Sequence, residues 1–275
     1  FYRNISLLSE GLKLIYVFDG EYHALKGKTH EIRHEAKDAM EAKYRTALEE
    51  EDIESMGKYA KGMSRLNEEM ILESKELLEA MGIASVQAPG EGEMQCAQLV
   101  KDGEAYAVAS QDYDALVVGG KRLIQNLTLS RKRKTRSGYI FIAPEIIDYE
   151  KVLNELNIDG DQLISLAVLV GTDFNPSGVR GIGPKKALAL VREKKYPIEI
   201  FKDLEEQGRL NFNWKEVFEI FKKPNVSKLR IKFPKMNEEK IKALLVKKHD
   251  FSEERIENQL SKLKVAKESA KQGTL

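Results

Sequence analysis

Two carboxylates, Asp112 and Asp114, stand two residues apart in VASQDYDALVV (residues 108–118), an otherwise apolar run. A buried carboxylate is costly unless backbone donors, a basic partner or a metal ion compensates it. Four more acids occupy comparable places. Asp19 closes the apolar run LKLIYVF, Glu91 and Glu93 follow Pro89-Gly90, and Asp173 follows the apolar run of residues 163–170. Like charges held close together oppose each other's ionisation, and a hard divalent cation relieves that conflict. All-oxygen ligation favours Mg2+ or Mn2+ over zinc. The four His and Cys96 show no zinc-like spacing. Two such ions ~3.5–4 Å apart would stabilise both the attacking and the leaving oxygen of an in-line phosphoryl displacement. Each acid also has a plainer reading: Glu91 and Glu93 as helix-start charges, Asp112 as a cap or turn residue, Asp173 as a loop acid, Asp19-Gly20 as a turn.

What brings the acids together is the arrangement of elements that the pattern predicts. Strands are expected at residues 12–18, 83–87, 105–109 and 122–129, the last returning through residues 139–142 as a hairpin. Helices are expected at residues 67–81 and 91–100, and then at 145–156, 161–170, 184–194, 214–221, 237–248 and 252–271. Residues 28–62 are highly charged and poorly amphipathic, which predicts one or two long helices projecting from the body. Strands alternating with helices imply an α/β fold with a mostly parallel central sheet flanked by helices. Ligands of such sheets gather outside the carboxyl ends of the strands, where Asp19, Glu91, Glu93, Asp112 and Asp114 all fall.

A second pattern lies in GTDFNPSGVRGIGPKKA (residues 171–187). Gly178, Gly181 and Gly183 permit a tight connection between helices, and Pro184 suits a first helical position. The exposed N–H groups of that turn, with Lys185 and Lys186, form a helix-hairpin-helix pattern suited to gripping DNA phosphates without reading bases. An ordinary glycine turn is the alternative. Lys26 and Arg33 could reach a scissile phosphate or be solvated surface, and RKRKTR (residues 131–136) could touch DNA or be a solvated hairpin tip.

The chain of 275 residues is 42% apolar and 32% charged, which suits one large globular domain or two coupled ones. The longest apolar run is far short of the ~20 residues of a membrane span. No signal peptide is read at the start, and a single cysteine forms no intrachain disulfide, so an intracellular, reducing compartment is expected. The net charge of +1 is a patchwork, and decides nothing about nucleic acid. The Asn126–Thr128 sequon is discounted because an intracellular chain is expected. FYRNISLL (residues 1–8) reads as the middle of an amphipathic helix with no start signal.

Together these residues resemble the flap endonucleases of the XPG-like 5′-nuclease superfamily, in their archaeal form. The resemblance runs the length of the chain through VFDGE (17–21), QAPGEGEMQCA (87–97), ASQDYDAL (109–116), LVGTDFNPSGVRGIGPKKAL (169–188) and HDFSEERI (249–256). It implies a PIN-like nuclease fold in which Asp19, Glu91 and Glu93 hold one Mg2+ (or Mn2+) and Asp112, Asp114 and Asp173 a second. Lys26 and Arg33 would steer the scissile phosphodiester. Residues 1–27 would be what remains of an N-terminal nuclease region, 28–66 a helical arch and 67–160 an internal nuclease region. Residues 161–271 would carry a helix-three-turn-helix, binding duplex through Gly181, Gly183, Lys185 and Lys186, with a K+ ion. Residues 272–275 would be a truncated tail for the sliding clamp (PCNA). The implied partner is branched or nicked DNA bearing a 5′ flap, met in replication and repair by a monomer with no membrane association, at the nucleoid if the source is archaeal.

Two departures stand out. The family has an N-terminal strand with a further metal-binding Asp, and both would precede Phe1; without it a sheet edge is unpaired. QGTL (272–275) matches only half of the clamp motif, so clamp binding by this chain is expected to be weak or absent. Two other readings remain open: a catalytically impaired fragment that only binds branched DNA, and an unrelated Mg2+-dependent phosphatase.

Overall fold

The computed structural model describes residues 1–62, 66–127, 132–135 and 138–272. The chain divides into two compact units, each assembled from separate segments. One comprises Phe1–Glu21, Leu72–Leu156 and Pro224–Leu275, and the other Tyr22–Ile71 and Asn157–Lys223.

The first unit opens with α1 (Tyr2–Ser9), which has no side-chain cap, as its sequence implied. Strand β1 (Ile15–Phe18) pairs in parallel with β2 (Ala84–Gln87), with Phe18 opposite Gln87. Helix α4 (Glu68–Ala80) leads into β2; its start is capped by the side chain of Asn67, which accepts from Met70 N at 2.7 Å. Met70 itself, expected on the apolar face, is exposed. After β2 come α5 (Gly92–Lys101), β3 (Val108–Ala109) and the short α6 (Asp114–Val117). Strand β4 (Arg122–Gln125) runs parallel to β3 and antiparallel to β7 (Glu145–Asp148). The expected return strand is therefore not the partner of β4. Residues β5 (Lys132–Thr135) and β6 (Gly138–Phe141) instead make their own antiparallel hairpin, so part of the expected basic loop is strand. Residues 131 and 136 of that loop lie outside the described residues, as do Thr128 of the sequon and residues 273–275 of the tail.

Hydrogen bonding thus links the described strands as three separate sheets, two of them with parallel pairs. Helix α7 (Tyr149–Leu156) follows β7. The C-terminal segment contributes α12 (Glu238–Lys242), a π turn (Ala243–Lys248) and α13 (Glu253–Gln272). Its Ile241, Ile256, Leu260 and Leu263 bury against Ile5 of α1 and Leu78 and Met81 at the end of α4. Residues 224–236 have no regular structure, yet they are fastened to α5. The Gln95 side chain, fully buried, donates to Ser227 O and accepts from Ser227 N, each at 2.8 Å.

The second unit begins with a 3-10 turn (Ala24–Lys26), then α2 (Gly27–Glu49) and α3 (Ile53–Gly62), which pack on each other. Residues 28–62, expected to form one or two long charged helices, thus form one long and one short helix, and most described side chains of α2 are exposed. Helices α8 (Gly160–Val170), α9 (Pro184–Lys194), α10 (Pro197–Glu206) and α11 (Trp214–Lys222) follow. Their core holds Phe201 stacked on Trp214 at 4.6 Å and Phe174 edge-on to Phe221 at 5.4 Å. Among the described residues, no helix is long and apolar enough to cross a membrane.

Candidate nuclease site and DNA grip

In the first unit the site is built around the start of α5. Where β1 ends, the chain is laced to the loop after β2: Ala88 N donates to Phe18 O at 2.9 Å and Gly20 N to Gly90 O at 2.7 Å. A Cβ at Gly20 would stand 2.2 Å from Ala88 O, so only glycine allows this closeness. Asp19 is thereby aimed at the helix start, where its Oδ1 accepts from Gly92 N at 2.7 Å. That bond satisfies a backbone donor without an intrahelical partner, beside the positive end of the helix dipole. Asp19 thus caps the helix, while Glu91 and Glu93 stand at its start as the dipole alternative expected. Glu91 sits at the N-cap position without a side-chain cap bond, and Glu93 lies in the first turn.

Two polar side chains that the sequence reading passed over hold these acids in place. Gln87 Nε2 donates to Asp19 O at 2.6 Å, while Lys75 Nζ donates to Gln87 Oε1 at 2.7 Å and lies 4.9 Å over the Phe18 ring. The Ser110 hydroxyl donates to Glu93 Oε1 and accepts from Asp112 N at 3.1 Å. Ser110 so ties the α5 acid to the turn carrying Asp112. Asp114, half-buried, begins α6, which packs on α5. Sequence offers one signal for Ser110: a small hydroxyl two residues before Asp112 can close a local turn.

The combined charge is felt at Cys96, one turn further along α5. Its thiol is pushed up to about 12, first by burial and then by the charges of Glu93 and Asp19. Among the described residues, no three His, Cys, Asp or Glu side chains are gathered closely enough to hold a metal as they stand. Of the expected gathering of six acids, the described residues show two local ties, Asp19 to Gly92 N and Glu93 through Ser110 to the Asp112 backbone. Carboxylate oxygens backed by such a negative field are nevertheless the donor set that a hard divalent cation requires.

In the second unit, Asp173 follows Gly171, whose φ is +117°. Asn175, buried, fixes that loop. Its Oδ1 accepts from Thr172 N and Thr172 Oγ1, and its Nδ2 donates to Val168 O at 2.7 Å. Lys26 is not solvated surface: it is 8% exposed, its Nζ 3.4 Å from Asp173 Oδ2 and 5.0 Å from the Phe174 ring centre. Thr29 Oγ1 donates to Asp173 O at 2.8 Å. The Arg33 side chain lies outside the described residues.

The glycine hairpin connects α8 to α9 in the same unit. Gly178 has φ +54°, and a Cβ there would stand 2.3 Å from Val170 O. Gly181 has φ +79° and is exposed, as are Gly183, the N-cap of α9, and Lys185. Lys186, expected to face a phosphate, donates to Gly181 O at 3.2 Å.

With this geometry in hand, comparison with known proteins is consistent throughout. The XPG I-region family model matches residues 82–173, which hold β2, α5 and the acids from Glu91 to Asp173. Flap endonuclease 1 of Pyrococcus furiosus is 46% identical over 278 residues, covering 100% of this chain and 80% of that protein. Its counterpart from Aeropyrum pernix is 43% identical and covers 96% of this chain. The solved flap endonuclease-1 from Methanococcus jannaschii matches with a TM-score of 0.71 and 38% identity, over 97% of this chain and 79% of that one. The catalytic core of Rad2 in complex with DNA substrate shares the fold, with a TM-score of 0.68 at 22% identity. These likenesses define the class as an XPG-type nuclease. Within that class, the chain belongs to the flap endonuclease family.

Proposed function

We infer that this chain is a structure-specific flap endonuclease, hydrolysing DNA phosphodiester bonds where a single-stranded 5′ flap leaves a duplex. The observation that carries this is a relative 46% identical across the whole chain, beside a site where Gly92 N holds Asp19 and Ser110 holds Glu93. Its work belongs to replication and repair, on DNA inside the cell, at the nucleoid of an archaeal source.

In this reading Asp19, Glu91 and Glu93 hold one divalent cation, Mg2+ or Mn2+. Asp112, Asp114 and Asp173 hold a second; the family motif, rather than a distance, carries Asp173 into that set. When bound, such ions activate water and neutralise charge on the leaving oxygen. Gly92 N and Ser110 Oγ orient Asp19 and Glu93, so that the carboxylates need little rearrangement to bind. Lys26, sheltered beside Phe174, and Arg33 supply positive charge for the scissile phosphate. Gly181, Gly183, Lys185 and Lys186 grip the duplex backbone, with a monovalent cation such as K+ at the hairpin. The chain acts as a monomer, and QGTL (272–275) is the segment that would lead into a sliding-clamp contact.

Asp114→Asn and Asp173→Asn are expected to slow flap cleavage in Mg2+ by about a hundredfold or more while flap-DNA binding persists, since even partners behind metal ligands cost 10–100-fold when lost. An end-labelled 5′-flap duplex reads out both quantities. Full-rate cleavage by both variants would remove these acids from the reaction.

A further inference from the structure

The irregular segment of residues 224–236 borders the edge of β2 that faces away from β1, all within the first unit. It starts beside the candidate site: a Cβ at Gly90, one residue before Glu91, would stand 3.4 Å from Asn225 O. From there it runs back along β2, and just beyond it Asn237 N donates to Ala80 O at 2.8 Å. A cleft of about 290 Å³ lies between Ala84–Gln87 and Leu229–Lys232, and no carboxylate lines it. Lys228, Arg230 and Lys232 are exposed, while Leu229 and Ile231 between them are half-buried. Such alternation marks extended backbone, which sends every second side chain the same way, so the three cations form a row about 6.6 Å apart. No Asp or Glu stands among residues 220–237. Glu104 touches the row, 3.8 Å from Arg230 Nη1, yet that side chain stays 94% exposed. The other Glu104 oxygen accepts from Ile231 N at 2.9 Å and so fastens the backbone. The row ends at Phe233, which is 43% exposed, with Lys13 Nζ 5.9 Å from its ring centre. A second cleft, about 520 Å³, opens there and is lined by Leu72, Ile83 and Pro234 beside the ring. Glu76 and Glu79 also line it, the latter 3.6 Å from Lys240 Nζ.

A cationic row that follows a phosphate chain, with an aromatic ring on which a base stacks, holds single-stranded nucleic acid without reading its sequence. An acidic protein surface would answer the charges but leave the ring without a use, and a duplex keeps its bases from stacking on a side chain. We propose that residues 228–233 bind single-stranded DNA, with Lys228, Arg230 and Lys232 on its phosphates and Phe233 under a base. The inference deepens the nuclease reading and rests on it for the source of the strand. Because the segment starts beside Glu91, a strand held there leads away from the acids along β2.

The test measures binding of the full chain to a fluorescent oligothymidylate across a range of salt concentrations. The triple variant Lys228→Gln, Arg230→Gln, Lys232→Gln should lower the slope of log affinity against log salt by about two, at ~0.7 per phosphate contact on a single strand. Phe233→Leu keeps an apolar side chain but no ring. It should weaken binding by about fivefold or more with the slope unchanged, while Phe233→Tyr, which keeps the ring, should bind like wild type. An unmoved slope in the triple variant, wild-type affinity in Phe233→Leu, or an equal loss in Phe233→Tyr overturns the proposal. Poly-glutamate binding that the triple variant loses, with oligothymidylate binding unmoved, would assign the row to an acidic protein and overturn it too. Cleavage of a 5′-flap duplex in Mg2+ separates the two levels. Oligothymidylate held through the row by a chain that leaves the flap duplex intact refutes the nuclease reading and not the row. Cleavage by a chain whose row variants bind oligothymidylate as wild type does refutes the row alone.

Discussion

One methyl group separates Asp19 from its present position. Gly92 is the first residue of α5, and a Cβ there would stand 2.8 Å from Asp19 Oδ1, closer than side chains tolerate. The same glycine N–H holds that carboxylate at 2.7 Å. Gly92→Ala should therefore push Asp19 aside while leaving α5 intact. The expected result is a loss of Mg2+ affinity of about ten- to a hundredfold, the usual cost of disturbing a group that orients a ligand. Mg2+ titration of cleavage, with far-UV circular dichroism as the check on folding, measures it. Unchanged half-saturation would detach Gly92 from the metal-binding work. The acids stood out in sequence because carboxylates interrupt or close apolar runs, although Asp19 and Asp112 are exposed and have no burial to be compensated. Their supports did not. Gly92 acts on a partner 73 residues away, Gln87 on one 68 residues away, and nothing local in a glycine or an amide reveals a distant partner.

Among the elements, α8 shows how local sequence sets a functional position. Asp159 accepts from Gln162 N at 2.9 Å, and Gln162 Oε1 accepts from Asp159 N at 2.8 Å, a reciprocal cap. The helix it starts ends at Gly171, two residues before Asp173. Asp159→Ala should cost about 1 kcal/mol in unfolding free energy, measured by chemical denaturation; no loss would mean the cap is redundant. Elements with strong punctuation were read closely from sequence: α9 spans the expected 184–194 because Gly183 and Pro184 mark its start. Helix α10 was missed although Pro197 marks its first position, since the proline after KKY reads equally as a break. Residues β7 were folded into the following helix, because an apolar pair in EIID has no distinct period. The partner of β4 was misassigned for a related reason: two short strands after β4 compete for it, and register is fixed only by packing.

At the scale of the whole molecule, the first unit is closed by its C-terminal segment. Glu73 of α4 pairs with Lys248 Nζ at 2.8 Å and His249 Nε2 at 2.9 Å. Hydrogen bonding from Lys248 and then His249 holds its carboxyl below the usual range of 4.5. A depressed carboxylate stabilises the fold above its unfolded value, and that contribution fades as pH falls from about 4.5 through the lowered folded value. Glu73→Gln should be less stable than wild type at neutral pH, and the difference should shrink on acidification. Thermal melts over that interval measure it; a constant difference would show that charge is not what ties α4 to this segment.

The burial of Ile5 against Ile256, Leu260 and Leu263 has a further consequence. During synthesis the apolar side of α1 leaves the ribosome with its covering helix still some 250 residues from being made. The nascent chain crosses from one unit to the other and back twice before that helix emerges, so the first unit cannot close until Glu253–Gln272 is made. Ile5 must meanwhile remain partly exposed or be sheltered by a chaperone, and the core that α1 enters is completed only by a helix far along the chain.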